Sequence, residues 1–314
     1  MIESALKAGQ DKNLGHEYNK DIETRYREEQ RIVVPTPWGE FNELLQGGLG
    51  GGDFGLIFGN PSGGKSWALI ALAGYAAKLG YNVIHYTLEL GEDYVGRRYD
   101  AYFSNIPVNK VSNHKQQISE IIPQIPGNVI IKEFPTGKAS ISTVESHIRK
   151  CIDLDYKPDI ILIDYVDLLR SKKFSKERKD EIDDIYVGTK GSARELNLPI
   201  WSVSQVNRAG AKDDIIEGDK AAGSYDKIMI TDFAASLSRK KEDKVNGTGR
   251  FHIMKNRYGI DGLTFAAQID TSTGHFVLSG DDDYPSTPTP KIQSFNDPIS
   301  NSEKEKLSNF LLNI

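Results

Sequence analysis

The sequence predicts an α/β fold, with a mostly parallel central sheet and an antiparallel C-terminal extension. Three observations carry that expectation. Apolar runs of strand length alternate with helical periodicity from about residue 33 to residue 205, as strand–helix–strand units do. A polar, Gly-rich loop, "GNPSGGKS" (59–66), lies between one such strand and one such helix. Beyond residue 230 the apolar stretches follow one another without an evident helix between them.

Each element reads from its residues. "GDFGLIFG" (52–59) is a buried strand and residues 65–79 a helix. "YNVIHYTLEL" (81–90) is a strand, "DYVGRRYDAYFSNI" (93–106) a helix and "GNVIIKEF" (127–134) a strand. In "SISTVESHIRKCIDL" (140–154), Ser142 followed three residues later by Glu145 predicts a capping box at a helix start. "DIILIDYVDLL" (159–169) is almost continuously apolar, as expected of a strand covered on both faces. A helix near 181–197 and the strand "PIWSVSQ" (199–205) follow. "DFAASLSR", "GRFHIMKNR" and "LTFAAQIDTSTGHFVL" read as the antiparallel extension, closing in a hairpin around "DTSTG".

Both ends differ from this middle. Residues 1–31 include the polar stretch "HEYNKDIETRYREEQR", which has too few apolar positions to fold alone and reads as a tail or a helix that docks elsewhere. Residues 280–314 are rich in Pro, Ser, Asp and Asn until "EKEKLSNFLLNI", a candidate short amphipathic helix. The expected organisation is a segment at 1–31, a core domain at 32–279 and a tail at 280–314.

Composition narrows the function classes. The 314 residues are 38% apolar and 26% charged, enough for one sizeable core. A formal charge of −5 gives no general attraction to nucleic acid, although a lined channel needs only local basicity. One cysteine, Cys151, excludes a disulfide framework and a multi-thiolate zinc site. No apolar run reaches the roughly 18–20 residues of a membrane helix, and residues 1–20 have no apolar signal core. A cytoplasmic protein without membrane attachment is the expectation.

The loop at 59–66 is where chemistry is legible. Gly59, Asn60, Pro61, Ser62, Gly63, Gly64, Lys65 and Ser66 fit G-x-x-x-x-G-K-[ST] in its required context, strand before and helix after. Glycines let backbone N–H groups close on phosphate oxygens, and the helix N-terminus adds a positive dipole end. Lys65 supplies a charge for the terminal phosphates, and the Ser66 hydroxyl is a ligand for Mg²⁺, so ATP with Mg²⁺ is the expected pair. Asp164, ending the apolar strand "IILID", is placed to orient the cation's hydration shell. Glu89, near the end of the strand after the P-loop helix, is a candidate to polarise an attacking water. Glu92 and Asp93 fall in the following turn and read as solvated or capping.

The order P-loop, "TLEL", "LIDYVDLL", "SVSQVNR", "MKNRYG" resembles the ATPase domain of DnaB-type hexameric replicative helicases, most of all the short DnaB-like proteins of bacteriophages. The likeness runs from about Val33 to Leu278. It implies a RecA-like core, ATP hydrolysis and a ring moving on single-stranded DNA. It further implies Glu89 as general base, Asp164 as the magnesium-side carboxylate and Gln205 as γ-phosphate sensor. Arg257 would be an arginine finger reaching a neighbouring subunit's nucleotide, with Lys255 beside it. Those two basic residues stand two apart on a predicted strand, hence on one face.

The sequence departs from the full-length family. It has no counterpart of the N-terminal helical domain that contacts primase, nor the cysteines of a zinc-binding primase module. A helix over 17–30 would match the family's linker helix, which docks on the adjacent subunit. A primase, a loader or a single-strand-binding protein are the further partners implied.

For DNA, "RSKKFSKERKDE" (170–181), with Lys172 and Lys173, and the loop 206–227, with Arg208, Lys220, Gly223 and Ser224, are the candidate contacts. A solvated helix start is the plainer reading of the first. Two rivals share the ATP site: a RecA/RadA-type recombinase filament, and a regulatory or packaging ATPase that unwinds nothing. The "KNRYG" motif and the segment before "TPWGEFNELL" favour the ring.

Overall fold

The computed structural model describes residues 17–20, 22–23, 32–171, 177–206, 215–216 and 225–279. Contacts divide the chain into Met1–Ile32 and Val33–Ile314. In the first unit the described residues include a turn at 18–20 and two helical residues at 22–23. Most of the expected linker helix, the basic residues Lys172 and Lys173, the loop residues Arg208, Lys220, Gly223 and Ser224, and the tail from 280 lie outside the described residues.

The second unit opens with β1 (Val33–Val34), α1 (Gly39–Leu44) and β2 (Leu49–Gly50), the two strands pairing antiparallel. Then come β3 (Phe54–Gly59), α2 (Lys65–Lys78), β4 (Val83–Thr87), α3 (Glu92–Ser104), α4 (Lys115–Ile121) and β5 (Val129–Glu133). After α5 (Ile141–Asp153) and β6 (Ile160–Asp164) the chain makes a short 3₁₀ turn, Val166–Leu168. It continues as α6 (Arg178–Leu196), β7 (Ile200–Gln205), α7 (Tyr225–Ile230), β8 (Phe233–Ser238) and α8 (Lys241–Asn246). It ends in β9 (Thr248–Asn256), β10 (Thr264–Asp270) and β11 (His275–Ser279).

Among the described residues, nine strands form one sheet in the order β11-β10-β9-β8-β3-β7-β6-β4-β5. β5, β4, β6, β7, β3 and β8 run parallel, while β9, β10 and β11 continue antiparallel. Side-chain alternation divides the core between the two faces. Ile57 joins one cluster, with α2 and the aromatic group Trp38, Phe41 and Phe251; Phe54, Leu56 and Phe58 join the other, with α5 and α6. Ile160 and Leu162 split from Ile161 and Ile163 in the same way. That is why these strands are apolar at every position.

α2 is buried almost all round, which accounts for "WALIALAGYAA". Gly74 on it leaves room for an aromatic ring: a Cβ there would stand 2.3 Å from Cδ1 of Tyr102.

Three expectations are corrected. The α5 cap is Ser140, whose hydroxyl accepts from the N–H of Thr143 while the Thr143 hydroxyl accepts from the N–H of Ser140, so Ser142 and Glu145 lie inside the helix. "DFAASLSR" is not part of the antiparallel extension, because β8 runs parallel to β3. Nor is the region past residue 230 free of helix, since α8 connects β8 to β9. Short helices of six residues carry too little periodicity to be read from sequence. For the same reason α7 was hidden in what reads as the end of a polar loop.

Candidate nucleotide site and the outward-facing arginine

Four adjacent parallel strands deliver the predicted nucleotide residues to one edge of the sheet. Gly59, ending β3, pairs with Gln205, ending β7. β6 lies next to β7, and Asp164 at its end pairs with Thr87, ending β4. Glu89 is two residues beyond Thr87. Ligands of open α/β sheets bind outside such carboxyl ends.

The loop between β3 and α2 is held for this purpose. Gly64, the residue before α2, has φ 103°, a left-handed conformation that strains any side-chain-bearing residue. Lys65 Nζ donates to the carbonyls of Gly59 (3.0 Å) and Asn60 (2.8 Å), folding the ammonium back into the loop. Burial pulls the Lys65 ammonium down to about 8, against the opposing fields of Asp164, Glu89 and Asp167.

Asp164 is 3% exposed. Burial pushes its carboxyl up, opposed first by a hydrogen bond from the Ser66 hydroxyl and then by the Arg98 charge. Among the described residues its Oδ1 has no hydrogen-bond partner. A buried carboxylate oxygen without a donor, beside a serine hydroxyl, fits a hard divalent cation that takes its other ligands from water and phosphate. No group of three or more His, Cys, Asp or Glu able to hold a metal exists among the described residues.

Glu89 is exposed, on a turn anchored on both sides. The Thr136 hydroxyl donates to the carbonyl of Leu88 (2.6 Å), and the Thr87 hydroxyl donates to the carbonyl of Leu90 (2.7 Å). Gln205 is also exposed, its amide 3.5 Å from the Tyr165 hydroxyl. Glu92 and Glu133 exchange backbone contacts through their carboxylates, which ties the start of α3 to the end of β5.

Two residues near this site carry no sequence signal. Arg98 on α3 lies over the rings of Trp67 (5.0 Å) and Tyr94 (5.2 Å), and its charge bears on Asp164. Asp167, three residues past Asp164, accepts from the Tyr186 hydroxyl (3.0 Å) and pairs with Lys227 of α7. Lys227 closes the stretch 206–227 that reads as a loop, yet it lies in α7 and is 9% exposed.

Arg257 sits at the other edge of the sheet. β9 is antiparallel, so its last residue, Asn256, pairs with Phe233, the first of β8, which pairs with Gly55. Gly59 is four residues further along β3, and Arg257 one residue beyond Asn256. At roughly 3.3 Å per residue, Arg257 stands about 15–20 Å from its own P-loop along the strands. The expected strand position is corrected accordingly: Lys255 is in β9, but Arg257 is in the turn after it.

That turn is closely fixed. The Arg257 N–H donates to the carbonyl of Asp232 (2.9 Å), and Nη1 lies 3.2 Å from Asp232 Oδ1. Asp232, with a side chain only 2% exposed, also accepts from the N–H of Phe54 (2.8 Å) and from Lys190. Asn256 Nδ2 donates to the carbonyls of Leu44 and Ile260, and the Tyr258 hydroxyl to Asp53. The Arg257 side chain itself remains 46% exposed. Lys255 Nζ donates to the carbonyls of Ile228 (2.9 Å) and Met229 (2.6 Å), the end of α7.

A P-loop facing one edge and a fixed, exposed arginine facing the other suit an assembly of ATPase domains. A family model described as DnaB-like helicase C terminal domain matches residues 34–270. This chain belongs to the DnaB-like helicases. The DnaB-like chain is 23% identical over 273 residues to the DnaB-like replicative helicase of Enterobacteria phage T4, covering 82% of itself and 58% of that relative. It thus spans little more than half the relative's length. Against the DNA repair and recombination protein RadB of Methanobrevibacter smithii it is 31% identical over 155 residues, or 48% of this chain and 58% of that protein. The recombinase likeness covers half the chain, the helicase family model most of it.

Two solved structures share the fold. One is an ATPase domain, with TM-score 0.67 and 22% identity, covering 88% of this chain and 98% of that one. The other is a DnaB-like replicative helicase solved for its interactions with primase, with TM-score 0.69 and 21% identity, covering 88% of this chain and 70% of that one. The RecA-like α/β core is the common part. No described helix is long and apolar enough to cross a membrane.

Proposed function

We propose that this DnaB-like chain is the motor of an ATP-driven hexameric helicase that moves along single-stranded DNA at a replication fork. One observation carries the reading: Gly59, Gln205, Asp164 and Glu89 meet at the carboxyl ends of adjacent strands, while Arg257 is fixed at the opposite edge, too far to serve the same site.

ATP enters with its phosphates on the loop 59–66. Backbone N–H groups of the loop and the start of α2 face the phosphates, and Lys65 exchanges its carbonyl partners for phosphate oxygens. Ser66 and Asp164 would hold Mg²⁺, which when bound neutralises phosphate charge. Glu89 accepts the proton of the attacking water. Gln205, at the end of β7, is placed to report the γ-phosphate. Arg257 of the next subunit completes the site and stabilises charge in the transition state. In this reading the basic segment at 172–173 and the loop containing Arg208, Lys220, Gly223 and Ser224 contact the DNA strand. Residues 1–31 dock on a neighbour, and primase, a loader or a single-strand-binding protein are outside partners.

A strand-displacement assay on forked duplexes with either a 5′ or a 3′ tail tests this directly. The expected result is ATP-dependent unwinding of one fork polarity, lost in Lys65→Ala, with rings on DNA by electron microscopy. Continuous filaments on DNA with no strand displacement would overturn it in favour of a recombinase.

A further inference from the structure

The six-residue helix α7 touches both edges of the molecule's chemistry. From its middle, Lys227 Nζ pairs with Asp167 and donates to the Ser204 hydroxyl (2.9 Å). Asp167 is three residues from Asp164, and Ser204 is next to Gln205. The aromatic ring of Tyr186 lies under the same ammonium at 5.2 Å. The carbonyls of the next two residues, Ile228 and Met229, accept from Lys255 Nζ, two residues before Arg257. Past the helix the chain passes Thr231, whose hydroxyl donates to the carbonyl of Ile228 (2.9 Å), to Asp232, which holds the Arg257 guanidinium and N–H.

We propose that Lys227 is a positioning residue for the arginine that this subunit offers to its neighbour. It acts by anchoring α7 to the ends of β6 and β7. This rests on the trans reading of Arg257 given above and names the part of the chain that carries it.

The physical reason is the shortness of α7. A helix of six residues, well below the length at which helices hold themselves, keeps its place only through tertiary contacts. Its charged contacts are the Lys227–Asp167 pair, the Lys255 donations and an ion pair between Asp226 and Lys179 of α6 whose two side chains are 42% and 61% exposed. Lys227 is the one buried within the sheet side of the fold, against groups adjoining the subunit's own nucleotide residues. Without it, Ile228 and Met229 lose their tie to β6 and β7, and the Lys255 contacts beside Arg257 loosen with them, while Asp232 stays held by Phe54 and Lys190. The subunit's own P-loop, Asp164 and Glu89 rest on other elements and keep their geometry. Lys255 accordingly works in this state as a tie to α7. The same contacts give the subunit's own site, at Asp167 and Ser204, a rigid link to the finger it lends.

The test is complementation in mixed assemblies, with exchange confirmed by native mass spectrometry of tagged chains. Lys227→Met is expected to bind a fluorescent ATP analogue as the parent does. Its ATPase should fall by roughly 10²-fold, the scale of a misplaced group near a reaction centre. Titrating in Glu89→Gln, which is dead in its own site but carries an intact Lys227 and Arg257, should return most of that factor per Lys227→Met chain. A purely structural lesion or a defect in the chain's own site would show no return.

Arg257→Ala mixed with Glu89→Gln is the control. If that pair recovers and the Lys227→Met mixture does not, the positioning role is wrong while the trans finger stands. If the control itself fails under confirmed exchange, the trans reading falls and this inference with it. Parental ATPase in Lys227→Met alone also overturns the proposal. Should Lys227→Met fail to fold, Lys227→Met/Asp167→Asn removes both buried charges and is read in the same mixtures.

Discussion

Glu89 stands in solvent, two residues past its strand, with Thr87 and Thr136 fixing its neighbours from either side. Replacing it with Gln keeps that shape and removes the proton acceptor. Glu89→Gln is expected to bind nucleotide normally and to lose turnover by about 10²–10⁴-fold, measured by phosphate release. Lys65 makes a pH prediction. Burial draws its ammonium to about 8 in the folded chain, against an ordinary value of 10.5. Below the lower value both states hold the proton, and the cost of burying the charge is present in full. Between the two values the unfolded chain binds the proton and the folded chain does not, so stability rises with pH across that window. Nucleotide phosphates favour the charged form. ATP binding in the same window should therefore take up a proton and weaken as pH rises. Nucleotide titrations in buffers of differing ionisation enthalpy check this, and Lys65→Met should show no such proton uptake.

At the scale of elements, α5 offers the cleanest measurement. Its cap is the reciprocal Ser140–Thr143 pair rather than Ser142 with Glu145. Ser140→Ala is expected to cost about 1 kcal/mol, within the 0.5–2 range of lost N-caps, by urea unfolding. Ser142→Ala should stay within about 0.5 kcal/mol of the parent. Both helix starts were compatible with the sequence, since each serine precedes an apolar-periodic run. The choice was made by where Ile141 and Val144 enter the core, and those are buried. The same contest explains β8. "DFAASLSR" has the apolar content of any interior strand, and nothing local states its direction. Its ladder with β3 follows from the crossover through α7, a helix too short to announce itself.

For the whole molecule, the sheet's two edges separate the tasks. Arg257→Ala is expected to keep nucleotide affinity, because the side chain is about 15–20 Å from its own P-loop. It should lose roughly 10³–10⁵ in ATPase rate, the usual worth of an arginine finger. Steady-state kinetics beside an ATP-analogue titration read the two separately, and parental ATPase in this variant would remove the role. Assembly is the second test at this scale. Since Val33–Ile314 forms its own contact unit, deleting residues 1–31 should leave a folded domain by circular dichroism that forms hexamers poorly by native mass spectrometry. A hexamer population equal to the parent's would show that the segment is a tail.

The nucleotide loop was legible from "GNPSGGKS" because its function is local. Backbone N–H groups, a lysine and a hydroxyl must follow one another within one strand–turn–helix, so the residues that make the site are neighbours in sequence. The alternation of strands and helices was legible for a similar reason, as a strand buried on both faces must be apolar throughout. Asp164 and Glu89 were also within reach, since each lies at or just past the end of a readable strand. Asp167, Lys227 and Asp232 were not. Their meaning lies in pairings across 60 residues for Lys227–Asp167 and 42 for Lys190–Asp232, which no local pattern encodes. Strand order and direction decide which residues share an edge. Only the tertiary structure put the P-loop at one edge and Arg257 at the other, because an antiparallel β9 beside a parallel β8 returns the chain to the far end of the sheet.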